Sequence, residues 1–309
     1  MLFDVSHQTR HTYPVPACDS HNEIRLQPLS DDQQELLGFT VRCDPPAHFH
    51  HYDLQWGRVH HFQVREAHSC LTVEACSRIR TLLNDPFEGI ACDPEMPDTV
   101  PVPVRGEQAE WLLSSGRVPL VDPDCNIELD ALARLARQER DAGGVVGFAT
   151  AVMRLIHREW PYTTDATHVG TTLPELLRDR RGGVCQDFAH LMLGICRRNG
   201  IPSRYVSGYL YTGRGLHSGD VMHAWVECLV PTVDGRWVWR GFDPTNNLLA
   251  GKSYIKVHYG RDYADVTPTR GIYCGAAASS LEVQVRVVPV EERDSMPVES
   301  GTTTVRPSV

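Results

Sequence analysis

Nowhere does this 309-residue sequence run through about 18 uncharged apolar residues in a row, so it offers no candidate membrane-crossing helix. Its first residues, Met1-Leu2-Phe3-Asp4-Val5-Ser6-His7, have neither a basic leader nor an apolar stretch, which points to a cytoplasmic protein with no membrane partner. Basic blocks are also missing. With a net charge of −9 and an isoelectric point of about 5.9, the chain has no stripe of cations to track phosphates, and a general nucleic-acid binder is excluded. No CxxC or HExxH spacing accompanies the histidines and no acidic loop has the pattern of a calcium site, so neither metal nor cofactor is expected. The ten cysteines lie at scattered spacings in a long chain, which does not make a disulfide framework; reduced thiols in a reducing compartment are the default.

What is present is enough apolar material, 41% of the residues, for one large or two ordinary domains. Residues 1–83 read as β, with alternation in Asn22–Gln27, Arg58–Val64 and Leu71–Ala75, and suggest a sandwich-like N-terminal domain. Prolines at 86, 94, 97, 101 and 103 argue against a regular helix or central strand there, and a second proline-containing loop follows over Ser114–Asn126, so 84–126 reads as a linker.

Residues 127–288 read as a second domain. Helical stripes run over Glu128–Arg140 and Val146–Trp160, and Thr172 and Glu175 have capping-box spacing before a short helix. After Pro202 the period changes to that of strands: Arg204–Leu210, His223–Val230, Trp237–Phe242 and finally Leu281–Val288. Helices leading into a mainly antiparallel sheet make an α+β fold. Gly213–Gly219, with His217, reads as a loop before His223, and 289–309 as a poorly ordered tail.

The chemistry concentrates in Arg181-Gly182-Gly183-Val184-Cys185-Gln186-Asp187-Phe188. Phe188, Leu191, Met192 and Ile195 recur at helical spacing and Asn199-Gly200-Ile201-Pro202 stops the helix, so Cys185 falls in its first turn. Unpaired N–H groups at a helix start favour negative charge, which stabilises a thiolate; the glycines allow a sharp turn and close approach of a substrate backbone. By itself the stretch fits a packing cysteine equally well. Two later stretches shift the balance: His223 opens a strand, and Asp243 closes one at a turn. A thiol nucleophile needs a base, and the base needs an acceptor that fixes its tautomer. Convergence of Cys185, His223 and Asp243 is therefore expected.

GVCQDFAHLMLGICRRNGIPSRYVSGYL, followed by MHAWVE and GFDPTNN, resembles the transglutaminase-like core of bacterial proteins described as candidate cysteine proteases. The likeness runs from about residue 147 to 288, and the β-rich first hundred residues, with HTYPVP and NEIRLQP, are similar to the domain that precedes this core. The resemblance implies Cys185 as nucleophile, His223 as general base and acid, Asp243 as its orienting partner, and acyl transfer from a peptide, isopeptide or other amide through a thioester. It leaves the acceptor and the oligomeric state open.

The backbone N–H of Cys185 is the first oxyanion donor. The family supplies a second from an upstream side chain, for which Trp160 and Tyr162 are candidates, each equally readable as a core aromatic. Gln186 is a candidate substrate contact or a solvated residue, Asp187 a cap, and His190 a packing or solvent-facing residue. His60 and His61 alternate along a strand and cannot both join one metal site with His48, His50 and His51. Two other functions compete. Arg181–Cys185 has a local likeness to the nucleophile turn of arylamine N-acetyltransferases, which take acyl groups from small thioesters, and a noncatalytic scaffold could keep the same core.

Overall fold

The computed structural model describes residues 1–93, 95–213, 222–275 and 279–290. The 213–219 loop after Gly213 and the tail beyond Val290 lie outside the described residues. The first strand, β1 (Leu2–Ile24), is 23 residues long, well beyond the usual ~3–10, and it can be so long because it serves two sheets. Leu2–Thr12 pairs with β5 (His68–Thr81), whereas Ser20–Ile24 pairs with β4 (Gly57–Val64). The register breaks between Thr12 and Ala17, where Pro14 and Pro16 have no N–H to give to a ladder. β2 (Gln34–Asp44) and β3 (His50–Leu54) complete the edges, giving the order β2-β5-β1-β4-β3. Neither edge strand was among the stretches singled out from the sequence. β3 is exposed along its whole length, so no apolar alternation marks it.

The segment read as a proline-rich linker contains a short helix, α1 (Val102–Glu107), and a 3₁₀ turn at Ala109–Leu112. The following helix, α2 (Pro123–Glu139), begins five residues before Glu128. Both corrections have one cause. Pro103 and Pro123 occupy the first turn, where the missing N–H has no partner to lose and the fixed φ already suits a helix. Asp122 then caps α2 by accepting from the Cys125 N–H at 3.0 Å.

α3 (Gly144–Glu159), α4 (Leu173–Asp179) and α5 (Cys185–Arg198) follow, with the Thr172–Glu175 capping box formed at 2.7 Å. The chain then builds an antiparallel sheet from β6 (Ser203–Leu210), β7 (His223–Pro231), β8 (Trp237–Asp243), β9 (Leu248–Ala250) and β10 (Tyr254–Gly260), in the order β10-β6-β7-β8-β9. Every residue of β6 and β7 is buried because both faces are covered. The helices pack on one side, with Phe188, Leu191, Met192 and Ile195 of α5 in the main core. On the other side Tyr209, Ile255 and Val257 meet Phe3, Val5 and Ile79 of the N-terminal sheet.

After α6 (Tyr263–Val266) come β11 (Thr269–Cys274) and β12 (Ser280–Val290), and both leave the core sheet. β12, read above as the last strand of the 127–288 domain, pairs with β1 from Leu2↔Val290 to Thr12↔Ser280; β11 pairs with the far end of β1. Alternation identifies a strand but not its partner. Among the described residues no helix is long and apolar enough to cross a membrane.

Candidate active site

The turn into α5 depends on its glycines. Gly182 has φ +94°, and a Cβ there would sit 2.2 Å from the Pro161 carbonyl oxygen, so only glycine fits without rebuilding the turn. Gly183 bridges Tyr162, with the Gly183 N–H donating to the Pro161 carbonyl at 3.2 Å and the Thr163 N–H donating to Gly183 at 2.9 Å. Asp187 closes the first turn by accepting from the Val184 N–H at 2.9 Å and from the Thr167 hydroxyl at 2.6 Å. Cys185 is the first helical residue, partly exposed, with its N–H in the turn that has no intrahelical acceptors.

His223 opens β7 opposite Gly208, and its side chain is fully buried. Its Nε2 lies 2.8 Å from Oδ2 of Asp243, the last residue of β8. That carboxylate is saturated with donors. Oδ1 accepts from the N–H groups of Thr245 and Asn246 at 2.9 and 3.2 Å, and Oδ2 accepts from the Asn246 side-chain amide and the Tyr254 hydroxyl at 2.8 Å each. Burial disfavours charge on Asp243, yet His223 and these donors outweigh it and hold the carboxyl below its ordinary pKa. Burial likewise opposes charge on His223, but Asp243 overrides it and the ring is pushed up to about 10. Cys185 adds to that rise. The ring's other nitrogen, Nδ1, is buried with no partner at ordinary hydrogen-bond geometry, and the Cys185 thiol raises the ring both as a hydrogen-bonding neighbour and by charge.

Cys185 and His223 share a cleft of about 270 Å³. Gln186 lines it too, but it is buried rather than solvated and donates to the Val169 carbonyl at 3.3 Å. Trp160 and Tyr162 are not among the described residues lining this cleft. Trp160 ends α3 inside the main core, its indole N–H without a partner, under the Arg180 guanidinium 6.0 Å from the ring centre. Tyr162 packs edge-on against Phe188, with ring centres 6.3 Å apart. His190 is buried, accepts from the Tyr263 N–H at 3.2 Å and is lowered to about 3 by burial; it anchors the start of α6 at Tyr263, another cleft residue. His60 is buried and His61 only partly so, as alternation demands. Among the described residues no group of three or more His, Cys, Asp or Glu is arranged to hold a metal.

Sequence reasoning missed Asn246, Tyr254 and Tyr205. Asn246 was within reach: it stands three residues after Asp243, where a carboxylate at a strand end commonly collects the following N–H groups. Tyr254 is brought in by tertiary pairing alone. Tyr205, whose phenol is raised by burial and then by the nearby Cys185 sulfur, shares the cleft without any local motif.

Residues 132–244 match the model of the transglutaminase-like superfamily core, and residues 3–80 match the bacterial transglutaminase-like N-terminal region. An uncharacterised protein of Mycobacterium leprae is 33% identical, over 92% of this chain and 97% of its own. One of Mycobacterium tuberculosis is 32% identical, over 94% of this chain and 93% of its own. The solved structure of a candidate cysteine protease from Cytophaga hutchinsonii shares the fold, with a TM-score of 0.70 at 22% identity over 94% of this chain and 92% of that one. On these matches, the chain belongs to the transglutaminase-like superfamily.

Proposed function

We propose that this protein transfers acyl groups at amide bonds through a thioester on Cys185, with His223 as base and acid and Asp243 as its orienting partner. The observation that carries the reading is the divided role of the His223 ring: Nε2 is committed to Asp243 at 2.8 Å, while Nδ1 is buried, has no other partner, and the ring feels the Cys185 thiol as a hydrogen-bonding neighbour. A proton moving from Sγ to Nδ1 leaves a thiolate and an imidazolium whose charge Asp243 stabilises. The thiolate attacks the amide carbonyl, forming the C–S bond, and the Cys185 N–H faces the resulting oxyanion. The C–N bond then breaks as Nδ1–H protonates the leaving amine. Water or a second amine, deprotonated by Nδ1, releases the acyl group as acid or new amide. The substrates on this reading are peptides, isopeptides or other amides. A cytoplasmic, reducing setting suits a thiol nucleophile, and all ten cysteines are free thiols.

Site-resolved alkylation tests this. Iodoacetamide at neutral pH should label Cys185 faster than the exposed Cys92 and Cys274, and His223→Ala should remove that advantage. Equal labelling of all three in the unaltered protein sinks the reading. Ammonia released from glutamine-containing peptides, and its partition when an added amine competes with water, separates hydrolysis from transamidation. Acetylation of Cys185 by acetyl-CoA would mark a small-thioester donor instead.

A further inference from the structure

The cleft beside Cys185 is not built by the core alone. His7 and Thr9 of β1 and Leu281 and Val283 of β12 also line it, and Thr9 and Val283 stand directly opposite each other in the β1–β12 ladder. Leu281 is 53% exposed and Val283 partly so, which leaves aliphatic surface open at the mouth of a reactive site. Among the described lining residues none is Asp, Glu, Lys or Arg. His7 cannot serve as a cation: burial lowers it to about 4, and its two nitrogens are taken by the Tyr209 hydroxyl at 3.1 Å and the Thr9 hydroxyl at 3.0 Å.

We infer that β1 and β12 of the N-terminal sheet form the specificity wall of the cleft, and that this wall admits acyl donors with an uncharged side chain, amide or aliphatic, beside the scissile carbonyl. The inference rests on the acyl-transfer reading and adds which side chain that chemistry accepts. A charged side chain entering the cleft would shed water and find no Asp, Glu, Lys or Arg to pair with among the described lining residues, the charge of His223 being already matched by Asp243, so the transfer is costly. The volume, about 270 Å³, is at the small end of ligand sites and suits one side chain with its amide. On this view the N-terminal sheet belongs to the enzyme's recognition surface, which gives a reason for β12 to return to β1 instead of ending in the core sheet.

The test uses four short peptidyl chloromethyl ketones that differ only in the residue next to the warhead: glutamine, leucine, aspartate or lysine. Each reports entry directly, because the Cys185 thiolate forms a C–S bond as chloride leaves, with no turnover required. The unaltered chain should be alkylated at Cys185 by the glutamine and leucine reagents about tenfold faster or more than by the charged pair. Val283→Asp should raise the lysine reagent relative to leucine by about tenfold, since an opposite charge then faces the cleft. Gln284→Asp places the same charge on the opposite, exposed face of β12 and should leave the order unchanged. Equal rates for all four reagents, an unaltered order in Val283→Asp, or the same shift in Gln284→Asp overturns the wall while leaving the thiol chemistry standing. No reaction at Cys185 with any reagent, while Cys92 and Cys274 are labelled, overturns the acyl-transfer reading and the wall with it.

Discussion

Two regions of the core sheet each bury a carboxylate, and they use it differently. Asp243, at the end of β8, is held by neutral donors and one imidazole. Glu227, in the middle of β7, sits between two basic side chains, Arg204 at 2.6 Å and Lys256 at 2.5 Å. Burial alone would raise both carboxyls, and in both cases the partners reverse it. Around Glu227 nothing is left to react. The Arg204 guanidinium carbon lies 3.7 and 4.4 Å from the ring centres of Tyr259 and Trp239, and Lys256 reaches on to Asp31 at 2.7 Å, in the loop between β1 and β2. The cluster fastens the N-terminal sheet to the core. Around Asp243 the partner is an imidazole that can take up or give away a proton, and its second nitrogen has no partner at ordinary hydrogen-bond geometry. A buried carboxylate thus anchors when an ammonium and a guanidinium close it in, and supports chemistry when its partner is an imidazole that can pass on a proton.

Substitutions can separate the two regions. The largest effect expected is from Asp243→Asn, which keeps the shape but cannot stabilise an imidazolium; kcat on a reactive amide should fall by about 10⁴, measured by amine release. Glu227→Gln should do the reverse. It leaves Arg204 and Lys256 short of a buried anion, so urea unfolding should show a loss of about 3–5 kcal/mol, while the Cys185 alkylation rate per folded molecule stays as it was. If both variants lost activity and stability in parallel, the contrast between the regions would fail.

The pH dependence sharpens the contrast further. His223 titrates near 10 when folded and at the ordinary 6.5 when unfolded, so its pairing with Asp243 contributes fully below pH 6.5 and is lost as pH rises through 10. The stability difference between the unaltered chain and Asp243→Asn should therefore shrink across that window in urea titrations. For Glu227, whose folded pKa is depressed, the contribution should persist at high pH and fade only on acidification below the ordinary carboxylate range. The smallest effect expected is from Tyr254→Phe, which removes one of several donors to Asp243 and should cost about 0.5–1.5 kcal/mol with most activity retained, checked by the same two assays.

Local signals were legible where they depend on neighbours in sequence. The glycine pair, the helical period from Phe188 and the Asn199–Pro202 stop locate α5 with Cys185 at its start; Thr172 and Glu175 locate α4. Where prolines were read as breakers they proved to be starters, because Pro103 and Pro123 stand at helix positions whose N–H has no partner to lose. β3 was missed because it is exposed along its whole length, and β2 because a register shift between Leu36 and Gly38 breaks the phase of the alternation that Phe39, Val41 and Cys43 carry. Tyr254 escaped as a partner of Asp243 because a tyrosine at the head of β10 meets the end of β8 only after the sheet has formed, whereas Asn246, three residues after Asp243, was within local reach.

By itself, then, the sequence determined which segments are helical or extended around the site and which three side chains could act together, since periodicity, capping and residue chemistry are properties of short stretches. Only the tertiary structure decided that His223 turns Nε2 to Asp243 and leaves Nδ1 beside the thiol, that Asp243 is saturated while Glu227 is locked between two basic side chains, and that β12 crosses back to β1 and walls the cleft. These outcomes depend on which strands pair and which groups lose water together. Residues far apart in the chain settle that jointly, when the two sheets pack face to face.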